Sequence, residues 1–516
     1  MGNPSITRRS FIASAVLIGA SIALDGCAGK SNSVSALPAQ DFDASNLTSF
    51  QQKFENGPAR AQHLDELWGF IDETGEWVIE PIFMKVGSFD KTGIAAASDE
   101  TGMWGFIDTS GQWVIEPIYY GVTDFYEDLA GAVVDSDSGA FRYIDRAGDT
   151  VIPEGTLSNK RIGCFDGGLA PAVDPSNGFW GYINKSGEFE IPGQWGFASM
   201  FDDGVAFVSF NGNTYSINDI SGYLINSKGE ALTDFDFDGF EPQNHYRDSS
   251  TGNERSTSSK SRATTWGCSG VDGLSWSEGF CKGYLAGIKD AEGNYVLGNA
   301  YINRNGEVAI GGTGEFGLLG SFSGGYAAYQ NMSTGCWGII DSDGEIVMDL
   351  YELGGEGMEI CAVDAQSRQC YAQYYTGPYE AVEYDAILDF DGNLLSENDS
   401  EETGLFVTMA ARDLMAAQKF DSPSLEGSEC CCYVNQNFEV MFEGDWWAVE
   451  DFSKDLSYAK VWSPTSNDEY LQVYAESHGL GKDFDFASLG SRGLSLVGVI
   501  DSSGSYLIEP KFLNIF

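Results

Sequence analysis

Histidine is the scarcest polar residue in this chain: three copies, His63, His245 and His478, among 516 residues. None lies in a His-Glu-x-x-His run or has a second His four residues away, which excludes the helical zinc-hydrolase pattern. Positive charge is short as well, with 28 Lys and Arg against 77 Asp and Glu, a net −49. So negative a chain repels phosphate backbones and anionic headgroups, which excludes nucleic acid as a partner and favours cations or basic proteins. There is no Gly-x-Ser-x-Gly elbow, no P-loop and no Gly-x-Gly-x-x-Gly after a strand. The expectation is therefore no catalytic residue, no cofactor and no metal site, with the ligand-binding residues unknown. The long apolar stretch at the N-terminus, Phe11 to Leu24, is too short to span a bilayer comfortably.

What is present is a repeat. Trp68-Gly69-Phe70-Ile71-Asp72 and a following Gly75 return at Trp104-Gly105-Phe106-Ile107-Asp108 and Gly111. Ten copies align, starting at Trp68, Trp104, Phe141, Trp180, Gly222, Asn299, Trp337, Asp385, Cys431 and Val497. All ten carry Asp or Asn at the fifth place, and nine carry Gly three residues later, Phe438 being the exception. Asx-x-x-Gly between apolar runs predicts a hairpin turn, with the Asx oxygen on turn N–H groups and Gly in the left-handed region. Pro81, Pro117 and Pro510 are expected to end the second strand. Upstream of the phrase, Phe165-Asp166-Gly167-Gly168-Leu169-Ala170 and its relatives predict another strand behind a tight turn. Each unit thus has three or four antiparallel strands and buries its faces only by stacking on its neighbours.

Through the Trp-Gly pairs at 68–69, 104–105, 180–181 and 337–338, the chain resembles the WG-repeat proteins. The resemblance runs over roughly residues 64–516 and implies an all-β repeat fold with little stated chemistry. The expected form is a β-propeller or a pair of them, since closure removes sheet edges, with an open β-solenoid as the alternative.

Thr7-Arg8-Arg9-Ser10-Phe11-Ile12 resembles a twin-arginine export motif, carried by Arg8 and Arg9, and Leu24-Asp25-Gly26-Cys27 resembles a lipobox. Residues 1–27 then form a signal peptide with Cys27 as lipid attachment; an uncleaved anchor is the alternative. A flexible tether is expected over 28–63, a first repeat array over 64–242 and a polar linker over 243–265, which holds Arg247, Arg255, Lys260 and Arg262. A second array follows over 266–396. Residues 397–429 read as an acidic loop plus an amphipathic helix, because Phe406, Met409, Ala410, Asp413, Leu414 and Ala417 recur at helical spacing. Divergent repeats close the chain over 430–516.

Ten Cys are present. Cys268 with Cys281 and Cys361 with Cys370 are candidate disulfides, and buried thiols are the equal alternative. Asp234-Phe235-Asp236-Phe237-Asp238-Gly239 opens like a calcium loop but lacks the closing Glu, so it reads as a turn. The repeated Trp side chains read as core rather than as a sugar platform. Together these features predict a non-catalytic, envelope-anchored binding or scaffold lipoprotein. It would be held by lipid to the outer face of the cytoplasmic membrane and engage an envelope protein or glycan. The alternative is a carboxylate-dependent glycan hydrolase on the same scaffold.

Overall fold

The structure, a computed structural model, describes residues 49–158, 162–210, 221–233, 236–238, 276–289, 295–312, 314–355, 357–375, 382–409, 414–420, 429–444, 446, 448–450, 452, 458–463 and 496–516. Over these residues the chain is all-β, built of small antiparallel sheets in the manner of β-propeller blades, with single helical turns at Ser49–Gln52 and Ser400–Thr403. A complete repeat has four strands. In the second they are Lys85–Val86, Ile94–Ser98, Trp104–Asp108 and Trp113–Tyr119, paired in that order. The phrase is the third strand, and all ten copies fall on strands.

The chain divides into two compact units. One comprises Phe54–Ser333, Asp341–Glu345 and Lys511–Phe516; the other comprises the segment ending at Lys53, Thr334–Ile340 and Ile346–Pro510. Within the first, the strand Asn514–Ile515 pairs with Ala59–Gln62 of the first repeat, Ala61 opposite Ile515. The rings repeat this seam. Phe512 meets Trp77 edge-on with centroids 5.3 Å apart, as Phe83 of the first repeat meets Trp113 of the second at 5.7 Å. An open solenoid leaves its first and last repeats unpaired, so this pairing favours the propeller arrangement.

Both faces of the inner strands are buried, which is why they are rich in small residues: Ile94–Ser98 reads Ile-Ala-Ala-Ala-Ser and Ala130–Val133 reads Ala-Gly-Ala-Val. One core cluster shows how repeats share them. Ala96, Trp104 and Phe106 of the second repeat pack with Val122, Ala130, Ala132 and Ile144 of the third. The second unit has the same construction, with Tyr371 and Ile387 of one sheet against Val407, Met415 and Cys432 of the next.

Several sequence expectations are corrected. The helix expected within 397–429 is a pair of strands, Leu405–Met409 and Met415–Phe420, with Val407 opposite Ala417. A helical period read across a turn between two strands is accidental, because the residues it joins lie on different strands. Residues 410–413 lie outside the described residues. Structure begins inside the expected 28–63 tether, with Ser49–Gln52 helical and Ala59–Gln62 a strand of the first sheet. The expected division at 243–265 is not a boundary between compact units, since Asp236–Asp238 pairs with Phe280–Lys289 across it; the linker itself lies outside the described residues. Pro81 and Pro117 do not end their strands. They sit inside Trp77–Phe83 and Trp113–Tyr119 at register shifts, where a missing N–H is tolerated. Cys361 and Cys370 remain thiols, because the ladder shifts between Ile360 and Ala362 and leaves Cys361 exposed while Cys370 is buried.

Candidate functional site

Two sets of turns carry most of the carboxylates positioned by this fold. In all ten phrase turns the Asx Oδ1 accepts the N–H groups two and four residues on, as Asp72 does from Thr74 at 2.9 Å and Glu76 at 3.0 Å. Asn435, in the ninth repeat, does the same with Asn437 and Glu439. The closing Gly has φ between 79° and 85° in nine turns, and Phe438 holds the same place at 59°. The oxygens are occupied by the turn, and their acidity follows. Asp108 is held below the usual carboxylate range chiefly by the Ser110 hydroxyl, with the Gln112 and Ser110 N–H groups adding to it.

The second set leads into the small-residue strands. Glu127-Asp128, Gly167-Gly168, Glu278-Gly279 and Gly324-Gly325 are two-residue turns with both central φ values positive, the mirror-type hairpin turn that suits twisted strands. Glu127 and Asp128, at 48° and 73°, and Glu278 at 50° adopt it without being Gly, a conformation L residues enter at a cost of about 1 kcal/mol or more. A cross-repeat contact accompanies the strain. Glu127 Oε2 accepts Gly168 N–H at 2.9 Å, and Glu278 accepts Gly324 and Gly325 N–H at 2.6 and 2.8 Å. Each carboxylate holds the backbone of the next lead-in turn.

Three cations lace the same end, each directly after the Asx of its phrase. Arg146 donates to Asp128 at 2.8 Å and to Asp90 at 2.7 Å, and lies 4.7 Å from the Phe125 ring centroid. Lys185 donates to the Glu127 carbonyl at 2.9 Å. Arg304 donates to the Asp202 carbonyl at 2.8 Å over the Trp276 ring. Asp166 is the carboxyl raised within this group, first by burial and then by Glu127 and Asp202 beside it. The phrase Asx residues and the lead-in acids were legible as turn formers. The cations were not singled out, although a basic residue after Asx in three repeats of so acidic a chain is a signal.

Of the predicted site residues, Arg8, Arg9 and Cys27 lie outside the described residues, as do His245, His478 and part of the 234–239 segment. His63 lies against Asp65, Nδ1 to Oδ1 2.9 Å. Trp104 is buried in the shared core, and Trp68, Trp180 and Trp337 are half-buried. Among the described residues no group of three or more His, Cys, Asp or Glu is arranged to hold a metal ion.

A second polar cluster, unforeseen in the sequence, surrounds Asp385, which stands where other repeats carry Trp. Its carboxylate is fully buried and accepts Tyr371 OH at 2.5 Å, Gln373 Nε2 at 3.0 Å and Asn398 Nδ2 at 2.8 Å. Gln373 and Asn398 also donate to the Val407 and Leu405 carbonyls of the next sheet. Burial raises the carboxyl despite the three donors. This set ties sheets together and opens onto no solvent-exposed carboxylate.

The family model of the WG containing repeat matches residues 68–99, 104–136 and 180–213. No curated protein matches the chain. A solved structure titled as the eukaryotic initiation factor is similar at 10% identity and a TM-score of 0.38, covering 75% of this chain and 96% of its own. Apo AztD from Citrobacter koseri is similar at 11% identity and a TM-score of 0.20, covering 68% and 91%. A Bacteroides caccae protein of unknown function is similar at 10% identity and a TM-score of 0.19, covering 59% and 89%.

Proposed function

We propose that this WG-repeat chain is a non-catalytic binding scaffold at the cell envelope, exported through Arg8 and Arg9 and anchored by lipid on Cys27. Its partner is an envelope protein or glycan. The observation that carries this reading is the engagement of the ordered carboxylates. The ten phrase Asx side chains close turns, and Glu127 and Glu278 hold neighbouring backbone, as Asp90 and Asp128 hold Arg146. Acids fixed as acceptors make a rigid presenting face and are poor proton shuttles. Detergent-solubilised full-length chain used as bait in envelope extract should retain one dominant protein or glycan; an empty bait counts against the reading. Labelled palmitate should enter the chain and be lost with Cys27→Ser, and Arg8→Lys/Arg9→Lys should hold the chain inside the cell.

The hydrolase alternative has one observation in its favour, the raised Asp166 carboxyl between Glu127 and Asp202, a pairing of carboxyls of unequal acidity that acid–base chemistry uses. Release of reducing sugar from envelope glycan, abolished by Asp166→Asn in a chain that still folds, would establish it in place of the scaffold.

A further inference from the structure

Val78, Glu80, Ile82 and Met84 alternate along the outer strand of the first repeat and its continuation, and all four face solvent. Val114, Glu116, Ile118 and Tyr120 do the same at the equivalent places of the second. The six apolar side chains are between 42% and 62% exposed. The fold does not demand them: the fourth repeat carries Glu190, Pro192, Gln194 and Gly196 at these places, and the tenth carries Lys511 where Ile82 and Ile118 stand. Nor are the acids balanced. Lys511 reaches back to Glu76, and among the described residues no Lys or Arg pairs with Glu80 or Glu116. Two adjoining repeats thus present one motif, an uncompensated carboxylate between exposed apolar groups, with successive side chains about 7 Å apart along the strand.

The charge decides what covers it. A second copy of this chain would bring carboxylates against carboxylates at a net −49 per molecule, and anionic lipid would do the same. A continuous added strand is opposed by Pro81 and Pro117, which lack N–H groups and sit at register shifts. Recognition is left to side chains. We propose that the outer strands of the first two repeats are a docking surface for a cationic amphipathic segment of a partner protein. In that segment a basic side chain lies between two apolar ones at two-residue spacing. The proposal rests on the binding-scaffold reading and names the chemistry of its partner.

The test uses the full-length chain and a labelled peptide with two copies of Leu-Ser-Lys-Ser-Leu, set against a scrambled peptide of the same composition. Fluorescence anisotropy at about 0.15 M salt suppresses long-range attraction. The ordered peptide should bind at least about tenfold more tightly than the scrambled one. Glu80→Gln/Glu116→Gln and Ile82→Ser/Ile118→Ser should each weaken it by about tenfold or more. The charge-matched control Glu100→Gln/Glu352→Gln should change it less than about twofold. Equal binding of both peptides, equal loss in the control, or no binding of the ordered peptide overturns the proposal. If envelope extract still yields a partner whose capture ignores Ile82→Ser/Ile118→Ser, the scaffold reading stands and this surface does not.

Discussion

Gly111 sits on Ile79. A Cβ at Gly111 would lie 2.9 Å from Ile79 Cγ2, so the turn glycine of the second repeat is seated on the aliphatic side chain of the first. The relationship recurs as Gly148 on Ile115, Gly187 on Ile152, Gly229 on Ile191 and Gly344 on Ile310. One residue therefore meets two demands, a positive φ to close its own hairpin and the absence of a side chain where the previous repeat arrives. The register between neighbouring repeats is set there, and it gives a first prediction. Gly111→Ala should cost about 2–4 kcal/mol, the sum of left-handed strain and overpacking. Gly102→Ala has the same strain, at φ 82°, with nothing within 4 Å of the new Cβ, and should cost about 1 kcal/mol. Denaturant midpoints of the two variants should separate accordingly; equal shifts would show that only the turn matters.

The ninth repeat inverts the arrangement. Phe438 occupies the glycine place, and the residue it would meet at the isoleucine place is Ser396, paired with Ile387 as Ile79 is paired with Phe70. Ser396 Oγ instead donates to the Gln436 carbonyl. Phe438→Gly should lower stability by about 2–4 kcal/mol through the cavity it leaves, less the strain it relieves. Adding Ser396→Ile should recover at least half of that loss. Additive losses in a double-mutant cycle would refute the exchange of large for small.

Phrase turns built on Asp should be acid-sensitive where those built on Asn are not. The folded Asp108 carboxyl titrates below its unfolded value, so its stabilisation is present above the unfolded carboxylate range and lost as pH falls through the folded pKa. Asp108→Asn, which copies the Asn184 turn, should leave the melting temperature at pH 7 nearly unchanged and make acid unfolding shallower. Melting curves from pH 7 to 3 would decide it.

Asp385 has the opposite sign. Burial raises its carboxyl, so its contribution is greatest below the unfolded carboxylate pKa and is lost as pH rises through the folded one. The melting temperature of Asp385→Asn minus that of the native chain should rise with pH across this window. A flat difference would show that the three donors fully offset burial.

Trp104 is 4% exposed within a core shared by two repeats. Trp104→Ala should cost about 3–5 kcal/mol. Unchanged stability together with loss of ligand binding would instead make it a recognition residue.

The sequence by itself determined the unit and its turns. Asx-x-x-Gly, the alternating runs and the aromatic ahead of each small-residue strand encode contacts within a few residues, which local chemistry dictates. The Trp-Gly pair is explained only by the paired strands: a Cβ at Gly105 would lie 2.3 Å from the Ile115 carbonyl oxygen, where the partner strand shifts register. The helix expected over 405–420 failed because apolar spacing does not reveal a reversal of the chain. Tertiary structure alone decided which residues meet across repeats: Gly111 on Ile79, Glu127 on Gly168, Arg146 between Asp90 and Asp128, and Asp385 among Tyr371, Gln373 and Asn398. These contacts join residues 14 to 56 positions apart. Their geometry depends on how one sheet stacks against the next, and no short-range pattern in the chain records it.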